Sequence, residues 1–337
     1  MFYDRIIELM KRTNYLFLFL GTGFIILLSL FLLSNREALT EKNNYDIGQD
    51  NNPILQIISA PLPDHIYLFG EMITLDRFDL RERFDRELNT FTYLHATTML
   101  YLKRANRYFP IIEPILRRNN IPDDFKYLCV IESNLDIRAL STASAAGLWQ
   151  LLSATGKELG LEITAEVDER YHIEKATEAA CRYLKSAYSR YGNWVNAAAS
   201  YNAGMGRISS ELNSQQVSSA LDLLLVQETS RYVFRIMAIK QIFENPYLYG
   251  FVLKKEDFYH PIAVQKITVG QTIDDLAAFS KRYDLNYMIL KEFNPWLRDT
   301  KLTIRPGKTY EIAIPSKYDL YFNKNNIKIH DRRWMKN

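Results

Sequence analysis

A glutamate on an otherwise apolar helix face is the strongest chemical signal in this sequence of 337 residues. Pro122 suits the first turn of a helix, and Asp123 and Asp124 suit its positive end. The helix that follows presents Phe125, Leu128, Cys129 and Glu132 at i, i+3, i+4 and i+7. Three of the four are apolar, so Glu132 falls on the stripe that packs inward. Burial strips solvation from a charged carboxylate and raises its pKa. A carboxylic acid still protonated near neutral pH is what proton donation to a glycosidic oxygen requires. The helix alone leaves two bland readings open, an exposed helix-end glutamate or a structural hydrogen-bonding one.

The residues downstream narrow the choice. Glu132-Ser133 leads into a loop of small residues, 139–147, and then Gly147-Leu148-Trp149-Gln150. Tyr201-Asn202-Ala203-Gly204 follows, and later Glu228-Thr229-Ser230-Arg231-Tyr232. Together these resemble the lytic transglycosylase catalytic domain, which shares the goose-type lysozyme fold, in its membrane-bound lytic murein transglycosylase D form. The family pattern is Glu-Ser, a Ser nine positions after the Glu, Gly-Leu-[Met/Trp]-Gln, Tyr-Asn-Ala-Gly and Glu-Thr-x-x-Tyr. All five stand here in order, over roughly residues 95–250. There are two departures: Ser200 where the family often has Ala, and Leu151-Leu152-Ser153 where aromatic or Met-Pro residues are common.

The resemblance implies roles residue by residue. Glu132 is the sole acid/base. Ser141 and Gln150 line the groove beside it, and Tyr201 and Asn202 sit across the cleft, with the tyrosine hydroxyl near the carboxyl. Glu228 and Tyr232 shape the same wall from a later helix. Other readings stay open: Trp149 reads as core rather than a sugar platform, Tyr201 as a packing residue with a satisfied hydroxyl, and Glu228 as either structural or binding. The reaction implied is non-hydrolytic cleavage of the β-1,4 bond between N-acetylmuramic acid and N-acetylglucosamine in peptidoglycan. Ordinary glycosidases use two carboxylates, and near Glu132 only Asp136 offers a second. In the implied route Glu132 protonates the linking oxygen and then takes the proton of the muramic 6-hydroxyl. That hydroxyl closes on its own anomeric carbon and leaves a 1,6-anhydro end. The rivals are a hydrolytic goose-type lysozyme or chitinase, and a non-catalytic peptidoglycan-binding scaffold.

The elements that must hold these residues are mostly helical. Phe84, Leu88, Phe91, Leu94/His95, Thr98/Met99 and Leu102 recur at three-to-four spacing, and a helical catalytic domain is expected over 64–250, closed by Asn245-Pro246. Residues 258–315 change character. The runs 264–269 and 309–314 read as strands around two helical stretches, a small βααβ module. Val269-Gly270-Gln271-Thr272-Ile273, Asn294-Pro295 and Ile314-Pro315 resemble a LysM domain, which implies binding of N-acetylglucosamine-containing glycan; the bland alternative is a module that only packs. Residues 316–337 are basic and polar and read as a frayed tail.

Residues 15–33 hold no charge over 19 positions, the length of a membrane-crossing helix. No small-x-small cleavage site follows, so an anchor is favoured over a cleaved signal. Arg5, Lys11 and Arg12 precede it, which keeps residues 1–14 cytoplasmic and puts the body outside, in the periplasm. Residues 34–63, broken by Pro53, Pro61 and Pro63, read as a spacer. The expected architecture is therefore mainly α: a single-pass anchor, a lysozyme-like helical domain and the LysM-like module. A net charge of +3, from 42 basic and 39 acidic residues, is too small and too mixed for a nucleic-acid partner. No cofactor or metal is expected: there is no CxxC and no HExxH, and the five histidines are scattered. Cys129 and Cys181 read either as a pair or as two separate thiols. The sequence names no protein partner.

Overall fold

The computed structural model describes residues 58–335. The proposed anchor at 15–33, the segment before it and most of the 34–63 spacer lie outside the described residues. Among the described residues no helix is long and apolar enough to cross a membrane. The end of the spacer packs on the body: Ala60 is buried and its N–H donates to Asn89 Oδ1 at 3.1 Å.

The body opens on a hairpin, where the sequence pattern had suggested helix. Strands β1 (His65–Leu68) and β2 (Glu71–Thr74) pair antiparallel, Leu68 opposite Glu71. Ile66, Leu68 and Ile73 point inward while Tyr67 and Met72 stay exposed. The turn residues Phe69 and Gly70 both have positive φ, 55° and 88°, as a two-residue hairpin of matching twist requires. Phenylalanine is unusual there. Its N–H donates to Asp124 Oδ2 at 2.7 Å and its ring stacks on Phe125 with centroids 4.1 Å apart, which holds the strained residue in place.

Helices α1 (Phe78–Tyr93) and α2 (His95–Arg118) carry the three-to-four apolar repeat across a break at Leu94. The short α3 (Lys126–Ser133) follows a single 3₁₀ turn, Asp123–Phe125. Then come α4 (Ser153–Glu158), α5 (Ile173–Tyr191), α6 (Trp194–Ala203), α7 (Met205–Ser214) and α8 (Gln227–Glu244). Phe84, Phe109, Phe125, Leu128, Trp149 and Phe234 form a continuous core between them, each contributing roughly 2–3 kcal/mol of burial. Trp149 belongs to this core, its Nε1 donating to Thr177 Oγ1 at 2.9 Å. The buried charges are paired. Glu87 receives Arg231 at 2.7 and 3.0 Å, and Lys240 lies between Asp124 and Glu244 at 2.6 and 2.7 Å. Such pairs lose heavily if one partner is removed, so they fix how α1, α3 and α8 meet.

The C-terminal module has the expected βααβ order. Strands β3 (Val264–Val269) and β4 (Tyr310–Pro315) pair antiparallel, and α9 (Leu276–Lys281) and α10 (Tyr287–Phe293) lie between them in the chain. Asp275 and Asn286 cap the two helices with their side chains. The module's core of Leu276, Leu290, Trp296, Leu302 and Ile312 also takes in Ala146, Val167 and Tyr171 from the helical part.

The expectation of a frayed tail is corrected by residues 327–335, which return to the helical core. Trp334 is buried, its ring 5.5 Å from Phe243 and 6.0 Å from Phe109, and its Nε1 donates to Phe243 O at 3.0 Å. The buried Asn106 side chain donates to Tyr259 O and Lys328 O and accepts from the His330 N–H. Burial of one indole and of Ile327 outweighs the polar character of the segment as a whole.

Candidate active site

Glu132 lies in the last turn of α3, and the end of that helix is fixed on all sides. Ser133 Oγ donates to Cys129 O at 2.8 Å. Asn134 adopts φ +56° and its N–H donates to Val130 O, a left-handed residue closing the helix. Tyr101 Oη donates to the Asn134 side chain at 2.6 Å, and Arg104 donates to its carbonyl at 2.8 Å.

Glu132 is half-buried. Its Oε1 accepts a hydrogen bond from Tyr232 Oη at 2.5 Å. Its pKa is raised from the usual 4.5 to about 7. Burial is the main cause; the Tyr232 hydroxyl and the Arg235 charge pull it down, and the negative charge of Glu228 pushes it up. Glu228 itself is exposed in the first turn of α8, where the helix dipole favours a carboxylate.

Of the other residues named from sequence, Tyr201 takes the alternative reading of a packing residue with a satisfied hydroxyl. Tyr201 lies within electrostatic reach of Glu132, but its hydroxyl donates to Trp149 O at 2.7 Å. The carboxyl's partner is Tyr232, not Tyr201. Asn202 is half-buried beside it in the last turn of α6. Ser141 and Gln150 direct their hydrogen bonds into their own loop. Ser141 Oγ accepts from the Ala145 N–H at 3.0 Å, and Gln150 Nε2 donates to Gly147 O at 2.9 Å and to Ala139 O at 3.3 Å. Gln150 holds φ +45°, so its amide bonds the turn that its own backbone bends. The structure thus brings Glu132, Tyr201, Tyr232 and the charge of Glu228 together, while Ser141 and Gln150 shape the loop that follows Glu132.

Two participants gave no motif signal. Arg235, one turn after Tyr232, bears on the carboxyl through its charge. Arg170 anchors the loop through backbone carbonyls. The spacing of Arg235 to Tyr232 on one helix was readable in principle; the contacts of Arg170 to carbonyls leave no trace in residue types. Cys129 and Cys181 are both buried and free, with burial pushing the Cys181 thiol up to about 12. Among the described residues no group of three or more His, Cys, Asp or Glu gathers as a metal site. A cavity of about 270 Å³ lies between α2 and the module, lined by Tyr108, Ile111, Phe293 and Trp296; Glu132 is not on its wall.

The site is thus a half-buried carboxylic acid on a short helix, bonded by a tyrosine from a later helix and followed by a loop of small residues. Residues 109–222 match the Transglycosylase SLT domain, and residues 265–318 match the Soluble lytic transglycosylase C-terminal LysM-like domain. The chain therefore carries a transglycosylase SLT domain followed by a LysM-like domain. The first match includes Glu132, Ser141, Gln150, Tyr201 and Asn202; Glu228 and Tyr232 lie beyond it. The chain is homologous to Membrane-bound lytic murein transglycosylase D of Escherichia coli (strain K12), 28% identical over 244 residues, 71% of this chain and 52% of that one. It thus spans about half the length of that relative. A Putative tributyltin chloride resistance protein of Alteromonas sp. (strain M-1) is 32% identical over 117 residues, 34% of this chain and 56% of that one. Among solved structures, the 70-kDa soluble lytic transglycosylase in complex with bulgecin A aligns over 42% of this chain and 24% of that one, with 22% identity and a TM-score of 0.36.

Proposed function

We propose that this chain cleaves peptidoglycan strands as a lytic transglycosylase, at the β-1,4 bond between N-acetylmuramic acid and N-acetylglucosamine, with Glu132 as sole acid/base. The observation that carries this reading is the Glu132 carboxyl, raised to about 7 and held by the Tyr232 hydroxyl. A group titrating there is protonated often enough to donate and basic enough, once ionised, to accept. In the first step its proton passes to the linking oxygen as the glycosidic bond breaks. Positive charge grows on the muramic ring, where the ring's own acetamido carbonyl can meet it. The carboxylate left behind keeps its bond from Tyr232. In the second step it removes the 6-hydroxyl proton as that oxygen bonds to the anomeric carbon, which restores the acid and forms the 1,6-anhydro end. No water enters, so holding the 6-hydroxyl in place is the central demand.

Asp136, the nearest carboxylate in sequence, is engaged by its own loop and lies beside Arg104. One of its oxygens accepts from the Arg138 N–H at 2.9 Å and the other lies 4.0 Å from Arg104. In this reading Tyr201, Asn202, Glu228 and Tyr232 form the substrate wall, and Ser141 and Gln150 act through the loop they shape. Residues 64–250 form the catalytic domain and 258–315 the LysM-like domain. Glu132→Gln should keep the fold and retain binding to insoluble peptidoglycan while losing strand cleavage; turnover at the wild-type rate would refute the assignment. Mass spectrometry of the released fragments separates the mechanisms, because a hydrolase adds one water that this route does not.

Residues 15–33 anchor the enzyme in the membrane with its catalytic part in the periplasm. The uncharged stretch supports this, and the E. coli relative is named as membrane-bound. The full chain should sediment with membranes and resist alkaline extraction, and a chain lacking residues 1–33 should not. Equal extraction of both would discard the anchor.

A further inference from the structure

Segment 162–171 faces two ways. On one side it seats the C-terminal module. The Asp168 N–H donates to Trp296 O at 2.8 Å, and the Arg298 N–H donates to Glu166 O at 2.7 Å. The Glu166 carboxylate accepts from the Thr303 N–H at 2.6 Å and from Thr303 Oγ1 at 3.0 Å. Glu162 takes Lys308 at 2.7 Å and the Tyr310 hydroxyl at 3.0 Å. On the other side stands Arg170, buried and paired with the buried Asp168, its Nη2 2.7 Å from Asp168 Oδ2. Its Nη1 donates to Ser144 O at 2.8 Å and to Leu151 O at 3.1 Å. The Arg170 carbonyl lies so close to Gly147 that a Cβ there would come within 2.0 Å of it. Between the two sides, Ala146 packs into the module's own apolar core.

One guanidinium thus ties both ends of the turn containing Gly147 and Gln150 to the ten residues on which the module sits. A lysine could neutralise Asp168, but its single ammonium cannot also reach two carbonyls in the fork geometry that arginine provides.

We infer that Arg170 is a positioning residue, and that seating of the C-terminal module on residues 162–168 holds loop 139–151 in its working shape beside Glu132. The module is then a structural part of the active site, whatever glycan it also contacts. The kinetic side of this inference rests on the transglycosylase reading; the mechanical coupling does not.

Hydrogen–deuterium exchange on the full chain tests the coupling directly. Glu166→Ala removes the side-chain latch to Thr303. In that variant the Ala146 and Gly147 N–H groups, which donate to Leu151 O and Ala139 O, should exchange about tenfold faster than in the wild type, together with Arg298 and Thr303. Peptidoglycan cleavage should fall about tenfold in kcat with KM changed less than about twofold, since misplacement acts on the reacting geometry. The pH profile should stay in place, because Glu132 and Tyr232 are untouched. Arg170→Lys should give the same exchange at Ala146 and Gly147 without raising it at Arg298 and Thr303. Faster exchange confined to 296–303 in Glu166→Ala, with 144–151 unchanged, would overturn the inference. Thr303→Val carries the same test if Glu166→Ala does not fold. Should Glu132→Gln remain active while exchange at 144–151 still rises, the coupling stands and the assigned acid falls.

Discussion

Two opposing effects act on the Glu132 carboxyl. The buried setting that it shares with Tyr232 favours the neutral acid, while the Tyr232 hydroxyl donates to Oε1, which favours the anion. Removing only the hydroxyl, in Tyr232→Phe, leaves the first effect and deletes the second. The Glu132 pKa should then rise further above about 7. Because bond cleavage in the proposed reaction needs the protonated acid, the alkaline limb of the rate profile, which falls as pH climbs through that pKa, should move to higher pH. The maximal rate should drop as well, since the carboxylate formed in the first step loses its donor. A pH–rate profile on soluble murein fragments reads both; a limb that stays put or moves to lower pH would show that another group controls it. At this scale the helix-face pattern marked Glu132 as a candidate, and the ordered motifs after it made the choice. The choice between Tyr201 and Tyr232 was not legible, because which hydroxyl reaches a carboxyl depends on how α6 and α8 pack against α3. Tyr201 instead serves the Trp149 carbonyl, a partner present at every residue and so invisible in residue types.

Loop 139–151 is held by backbone geometry as well as by the side chains of Ser141, Gln150 and Arg170. Gly147, at φ +74°, has the Arg170 carbonyl where a methyl group would stand, whereas Gly192, left-handed at φ +62°, has nothing within 4 Å of that position. Gly192→Ala should therefore cost only the left-handed strain, about 1 kcal/mol. Gly147→Ala adds overpacking and should cost about 2–4 kcal/mol in total. Denaturant titration of both variants decides, and equal losses would mean that the loop yields freely. The helices were readable from apolar spacing, as was the βααβ order of the module. The hairpin at 65–74 was not, because its turn uses Phe69-Gly70 in place of the asparagine or aspartate that usually marks such turns. What permits the phenylalanine is Asp124 and Phe125, more than fifty residues further on.

Across the whole molecule, the chain leaves the helical core near Phe258, builds the module and comes back to bury Trp334. Trp334→Ala should destabilise the helical core by about 3–5 kcal/mol, lowering the melting temperature measured by circular dichroism at helix wavelengths. A change confined to the module's signal would contradict that placement. The sequence hid this return because two apolar residues among many polar ones carry no periodicity; only the packing of an indole against Phe109 and Phe243 reveals it. The return also bears on the order of folding. Asn106 and Lys328 share a hydrogen bond across 222 positions of chain, and contacts of such separation close late in folding. A chain emerging from its amino end can form α2 long before the partner for Asn106 exists. The Asn106 side chain therefore gains its full set of partners only once the segment after the module has docked.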